Sequence, residues 1–564
     1  MATRPSSIAI DDANDQRLDA APSSPVAAME DLALSPGADS EEEEDSYDLA
    51  SASKLIPLSM TASASGERPL PSLHSPSTFR DVAFIGVYVV HVLLLLLAVS
   101  SAREVGIAEE EESERNEVVG GLGDADNDDG VQTKNAADVG VALRSLCVVN
   151  VLFSLGWMLL FLFYSKLRFI QGSCAFSVAG LSVLAVMFFL LDSSNGLFFG
   201  MLVSAAVVTD VVWYVRSNRG LDFVVVLFEL IVEFLTAHPA LAYATCATLV
   251  VYTIWASWVC TTIGYVGHKM SPWSLEMLYL VFHFYWTSNI FKNILTIVAS
   301  GTTMIWYYRD ESSEISPQIR ENISDHDSPS DTADSDSTDG QMQSGGSANA
   351  ASSLADQDRK VVLHYVRCAL SSSFGSICIG SLLCPIAHLV WNVLRWARRD
   401  ESVLSRRFMS LRSEHVEHFI RTYHKYSFVH IAGYNKPFYV AAHDAWKLIE
   451  THGVEAIVDD DLTSRILLLG GNGWAGLMSA VTVSALAGGS THTIFFALSA
   501  FALCYTTISL TTQVIGAAIK TLFVCFAENP GRLSQLHPLI YHRFVRLAEL
   551  KSFRDQKAPP SIRP

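Results

Sequence analysis

Charged residues are scarce in this chain. Only 17% of its 564 residues are charged, against about 25% in a soluble globular protein. That shortage, with half of the residues hydrophobic, argues against a string of soluble domains and against a wholly disordered chain. Paired cysteines are also missing. The nine cysteines form no CxxC, and all lie in or beside apolar stretches. They read as small apolar residues rather than a disulfide framework or a zinc site. A clustered basic face is lacking, which excludes a nucleic-acid footprint. No nucleophile elbow, P-loop or kinase signature occurs, so neither an enzyme nor a cofactor is expected. The first apolar stretch begins near residue 82, too deep for a cleaved leader.

The acidic charge is confined to three segments. Residues 1–78 carry a net charge of −10, residues 101–140 carry −9 and residues 310–360 carry −9. The whole chain carries −19, so the remainder carries +9. An acidic tail, an acidic loop and an acidic insert therefore interrupt a mildly basic, hydrophobic body. The tail, with Glu41–Asp45 between serines, has the composition of a disordered segment.

Nine stretches reach the roughly 20 apolar residues that a membrane helix needs. They cover 82–101, 141–164, 170–192, 196–215, 239–262, 274–308, 365–395, 462–487 and 491–527. Two segments are amphipathic. Residues 221–236 place Glu229 and Glu233 one helical turn apart and read as an interfacial helix or a weak span. Residues 423–449 are apolar in patches, with breaks expected at Gly433 and Pro437; they read as a re-entrant or interfacial segment that can supply a tenth crossing. The fold class expected is all-α: a polytopic helical membrane protein of about ten transmembrane helices, with disordered polar tail and loops.

Orientation follows from Lys and Arg in short loops. Lys166 and Arg168, then Arg216 and Arg219, place those loops and the N-terminus in the cytoplasm. Arg395, Arg398, Arg399, Arg406 and Arg407 favour the same side, but counting crossings puts them outside. Five regions follow. Residues 1–78 form an acidic cytoplasmic tail. Residues 79–308 hold six membrane helices and an external loop at 102–140. Residues 309–360 form a disordered insert. Residues 361–530 hold the later helices, with amphipathic segments at 396–450, and residues 531–564 form a cytoplasmic tail. The insert carries a sequon at Asn322–Ser324, silent if the insert is cytoplasmic.

Several motifs have plain readings. Gly471, Gly473 and Gly476 match GxGxxG, but a dinucleotide site needs a strand before it. Here the motif enters an apolar span, where small residues let helices pack closely. Gly196 and Gly200 read the same way. The run Asp124–Gly130 hints at a calcium loop, yet its glycine is one position late and Asn135 stands where a bidentate Glu belongs. His415 and His418 share a helical face without a third ligand, so a polar cytoplasmic helix is expected there.

Two segments are more informative. Within the apolar stretch 274–308 lie His283, Thr287, Ser288, Asn289, Lys292 and Asn293. Polar groups are costly in lipid and turn toward cavities or one another. Asn289, Lys292, Asn293 and Thr296 recur at three- and four-residue spacings, which is one helical face. Tyr285 and Trp286 precede it by a turn. Such rings can attract a quaternary ammonium through cation–π contact, or serve as interfacial anchors or packing. The second segment, Ser371–Ser381, is built from small residues. Gly375, Ser376 and Gly380 permit close helix approach and a broken helix at the bilayer midplane.

These blocks carry a resemblance. YWTSNIFKN (285–293) resembles the YWTSQVIKN block of the choline transporter-like family, and ASGTTMIWYY (299–308) its AGVFGTWYF-type end. SSSFGSICIGSL (371–382) resembles SFGSICFGSL. The segment 426–449 resembles AYVQIALYGKSFCESAKDTWEL, and AIKTLFVCFAENP (518–530) resembles TIFVCFAEDP. The blocks occur in family order from about residue 80 to 535 and are most similar to the fungal and protist Pns-type branch.

The resemblance implies a ten-span, multi-pass plasma-membrane protein with cytoplasmic termini, embedded in the lipid bilayer. It implies facilitative carriage of choline or a related small cationic solute. Tyr285 and Trp286 would then form an aromatic wall, and Ser288, Asn289 and Asn293 would supply polar contacts. Gly375, Ser376 and Gly380 would let a neighbouring helix close on the site. Asn289 replaces a Gln of the family pattern and the external loop lacks cysteines, while Lys292, which the Pns-type branch shares, sets a cation beside the site. The alternatives are a carrier of a different solute, or a membrane scaffold whose acidic tail recruits cytoplasmic partners. Asp210 is the main intramembrane carboxylate.

Overall fold

A backbone in lipid must bond to itself, so each apolar stretch folds as a helix. In the computed structural model the described residues are 79–546, except 120–127, 192, 218–220, 270–273, 316–345, 400–413, 452–461, 487–490 and 543. The expected tail 1–78 and most of the C-terminal tail lie outside the described residues, as do Asn322 and the bulk of the insert. Among the described residues there is no strand. The helices are α1 Val82–Val119, α2 Asp128–Phe163, α3 Lys166–Leu190, α4 Ser194–Ser217, α5 Leu221–Ala237, α6 Pro239–Lys269 and α7 Leu275–Ile315. They continue as α8 Gly346–Leu370, α9 Phe374–Arg399, α10 Glu414–Thr422, α11 Ser427–Tyr434, α12 Phe438–Thr451, α13 Leu462–Leu486, α14 Thr491–Glu528 and α15 Pro530–Leu536.

Eight of these helices are long and apolar enough to cross a membrane: α1, α2, α3, α4, α6, α9, α13 and α14. They account for every expected stretch but one. The exception, 274–308, is the central helix α7, whose polar residues dilute its hydropathy over 41 residues. The chain is a polytopic helical membrane protein.

The acidic segment expected as an external loop is helical on both sides of residues 120–127, because α1 runs to Val119 and α2 starts at Asp128. Its glutamate-rich stretch is made of good helix formers. Helix also reaches Ile315 and resumes at Gly346, at the two ends of the insert.

Of the two amphipathic segments, the first buries the face that its spacing predicts, whereas in the second the break expected at Gly433 falls at Asn435–Pro437, Gly433 lying inside α11. Val224, Leu227, Phe228, Ile231 and Phe234 of α5 are buried, while Glu229 and Glu233 are exposed. Residues 414–451 form three short helices, with a turn at Asn435–Pro437. Asn435 there adopts left-handed backbone, φ 48°, which an Asn tolerates better than most residues.

α3 and α13 meet backbone to backbone. A Cβ on Gly180 would lie 2.0 Å from the Gly473 carbonyl oxygen, and one on Gly476 would lie 2.7 Å from the Gly180 carbonyl carbon. The glycine motif is therefore a helix crossing. Gly471 takes no part, having only ordinary contacts from 3.6 Å outward. Between α3, α4 and α13, Asp210 accepts from the Ser177 hydroxyl at 2.8 Å and pairs with Arg465 at 3.4 Å.

Candidate functional site

α7 lies at the centre, packed by α6, α8, α9, α11 and α14. It distributes its polar residues to different neighbours. Tyr285 is half-buried and donates its hydroxyl to the Leu382 carbonyl of α9 at 3.0 Å. Trp286 is 3% exposed and donates its indole N–H to the Cys378 carbonyl at 3.0 Å. Its ring packs against Tyr88 and His91 of α1 at 5.2 and 5.0 Å between centroids. Asn293 donates to the Ser381 hydroxyl at 2.9 Å. These three bonds fasten α7 to α9. Ser288 is buried on another face, toward Tyr252 of α6.

Asn289 donates to the Tyr285 carbonyl one turn back at 2.9 Å. Lys292 follows, with its ammonium 5.7 Å from the Tyr505 ring centre of α14. Thr296 comes next and accepts from the Gln513 amide of α14 at 2.9 Å. Tyr285, Asn289 and Lys292 are each half-buried. With Thr296 they recur every three or four residues, so they form one stripe between α9 and α14. The structure thus brings Tyr285 and Asn289 together beside Lys292, and turns Trp286, Ser288 and Asn293 into the surrounding packing.

The small-residue segment is positioned by a group that the sequence reading missed. The passage from α8 to α9 breaks at Ser371–Ser373, just before Gly375. A Cβ on Gly375 would stand 2.3 Å from the Asp81 carbonyl oxygen. Ser376 donates to Asp81 Oδ2 at 2.5 Å, and the Phe438 N–H that opens α12 donates to the same oxygen at 2.9 Å. Arg80 donates its Nε to the Asn435 carbonyl at 3.2 Å and its backbone N–H to the Ser372 carbonyl at 2.8 Å. Asp81 holds left-handed backbone, φ 52°. One knot therefore ties the start of α1 to the α8–α9 break and the α11–α12 turn. Gly380 lies beyond it, where a Cβ would meet the Phe428 and Phe438 rings at 2.5 and 2.8 Å. The available signal was an acidic residue directly before an apolar run, the pattern of a helix start.

Two buried histidines complete the α7 surroundings. Trp255 of α6 donates its indole N–H to His283 Nε2 at 3.3 Å, which leaves the His283 proton on Nδ1. That nitrogen lies 3.2 Å from His91 Nε2. The His91 proton then sits on Nδ1 and faces the Tyr279 hydroxyl at 2.6 Å, which donates to the His91 carbonyl at 3.0 Å. The chain of donors and acceptors closes with both rings neutral. His91 was signalled only by standing alone in an apolar run. A further buried carboxylate, Glu528, accepts from the Tyr308 and Tyr434 hydroxyls at 3.2 and 2.9 Å, with His430 at 3.8 Å. Among the described residues no group of three or more His, Cys, Asp or Glu side chains is placed to hold a metal.

Among the described residues, eight helices of membrane-crossing length and apolarity around a central helix that carries ionisable groups define a class, the polytopic membrane proteins with a polar interior. The family is more specific. The chain belongs to the family described as plasma-membrane choline transporter, whose profile matches residues 199–531. Its relatives include Protein PNS1 of Yarrowia lipolytica, 20% identical over 59% of this chain and 57% of that protein. Protein PNS1 of Neurospora crassa is 27% identical over 33% of this chain and 36% of that protein. A CTL-like protein of Dictyostelium discoideum is 20% identical over 67% and 61% respectively. The chain spans less than two thirds of the length of these relatives.

Proposed function

We propose that the protein carries a small amine solute, of the choline type, across the plasma membrane, and that the α7 stripe lies on its path. The observation that carries this reading is the half-buried row Tyr285, Asn289 and Lys292 at the centre of an apolar bundle. Unburied polar groups at that depth are costly unless they line a path or cavity. Tyr285 offers a ring face to a quaternary ammonium, and Asn289 offers a polar contact. Trp286 and Asn293 act as positioning residues, holding α9 against α7. Ser288 lies on the side toward α6. Gly375, Ser376 and Gly380 keep α9 close enough for the site to form. The family description and the CTL-like relative support the same class of solute.

Uptake of radiolabelled choline by proteoliposomes holding the full chain tests the reading. Saturable uptake, suppressed by excess unlabelled choline and weakened in Tyr285→Leu, is the expected result. Uptake no greater than in protein-free vesicles, from protein shown to be folded, would overturn it.

A further inference from the structure

We infer that the preferred solute bears an anionic group that pairs with Lys292, and so is a zwitterionic or anionic amine, with choline itself a weaker ligand of the same stripe. This inference rests on the carrier reading above and names the solute class of that same stripe.

The argument is one of unmatched charge. Lys292 sits midway along the central helix, where a lone ammonium is expensive. Among the described residues its close partner is the face of Tyr505, and no carboxylate pairs with it. The inner carboxylates among the described residues are engaged elsewhere: Asp81 by Ser376 and the Phe438 N–H, Asp210 by Ser177 and Arg465, Asp358 by the Ala240 N–H, and Glu528 by Tyr308 and Tyr434. The contrast with Lys166 is direct. That lysine turns its ammonium onto the carbonyls of Phe161, Leu162 and Tyr164, the last two at 3.1 Å, and so satisfies itself at a helix end. Lys292 has no such carbonyls.

The polar side chains before and after it on the stripe do not neutralise it. Asn289 uses its amide on the Tyr285 carbonyl, and Thr296 donates to the Lys292 carbonyl. A permanent cation entering this stripe meets like charge at Lys292, and the low dielectric of the bundle interior strengthens that repulsion. A carboxylate or phosphate tethered to an ammonium satisfies both ends: the anion meets Lys292 while the ammonium lies against Tyr285, two helical turns away along the stripe. Charge-assisted pairing of this kind is among the stronger polar contacts a site can offer.

Calorimetric binding to the purified full chain in neutral detergent provides the test. The probes are choline, N,N,N-trimethylglycine for a carboxylate and the phosphate monoester of choline for a phosphate. The proteins are wild type, Lys292→Met and Lys292→Arg. At least one anionic probe should bind about tenfold or more tighter than choline to wild type. Lys292→Met should lose that preference, and Lys292→Arg should keep it. Which probe wins separates carboxylate from phosphate. Choline binding as tightly as both anionic probes, or a preference unchanged in Lys292→Met, overturns this inference and leaves the carrier reading in place. If none of the three binds to protein with an unaltered melting profile, the carrier reading of the stripe falls, and the inference with it.

Discussion

At the scale of single residues, the arrangement depends on a few contacts with no slack. Gly375 is the clearest. Its missing side chain lets the Arg80–Asp81 backbone lie against α9, and any Cβ would have to displace backbone rather than a flexible side chain. Gly375→Ala should destabilise the fold by roughly 1–3 kcal/mol, read as an earlier thermal transition in detergent. An unchanged transition would mean that the contact is loose. A second residue sets a pH response. His424, in the turn before α11, accepts no proton easily: burial holds it at about 4, below its ordinary 6.5, although the bond to the Ala442 carbonyl opposes this. A carbonyl only accepts, so His424 donates Nε2–H to Ala442 at 3.0 Å. Its Nδ1 is buried without a partner, and a proton there would be an unpaired donor. The unfolded chain takes up this proton near pH 6.5 and the folded chain only near 4. Stability from this group is therefore complete above the upper value and falls as pH drops through the window between them. Thermal melts from pH 7 to 4 should show that loss, and His424→Phe should flatten it.

How far these residues were legible depends on whether the signal is local. The polar face of α7 was readable because helical spacing alone places Asn289, Lys292 and Thr296 together. Which neighbour each residue meets was not readable. Trp286 and Asn293 are fixed by α9, about ninety residues away in the chain. Asp81 was invisible as a site because its partners lie at Ser376 and Phe438.

At the scale of elements, the helices follow apolar length, and eight of the nine expected stretches qualify directly as spans. The ninth is α7 itself, whose polar content both signals the site and lowers its hydropathy. The packing of α3 on α13 belongs to this scale too. Gly476→Ala should force two backbones apart at a cost of roughly 1–3 kcal/mol. Gly471→Ala, one turn away with open contacts, should leave the thermal transition in place. Equal losses from the two substitutions would refute a specific crossing and point to general helix loosening. The short helices α10–α12 were harder to place from sequence, since their breaks depend on tertiary bonds at Asn435 as much as on Pro437.

At the scale of the molecule, the described fold begins at the knot. A chain starting at Phe79 keeps Arg80 and Asp81 and their bonds to Ser372, Ser376, Asn435 and Phe438. Removal of residues 1–78 should therefore preserve monodisperse behaviour in detergent and the melting transition. Removal of residues 1–81, only three residues more, should broaden or lower that transition. If both truncations melt alike, the knot contributes nothing to stability. The first truncation also discriminates function: a carrier keeps its uptake without the tail, whereas a scaffold loses its recruitment.

The knot also orders events during synthesis. Asp81 bonds residues 295 and 357 positions further along the chain. Translation proceeds at about 5–20 residues per second, so α1 enters the bilayer tens of seconds before either partner exists. The earlier helices must insert and wait, with Asp81 unsatisfied, until α9 and α12 arrive. Contacts so distant in sequence form slowly. Capture of the first helix by the later ones thus cannot be completed before α12 is made, and a chain stalled after α7 would expose the seam that α9 later covers.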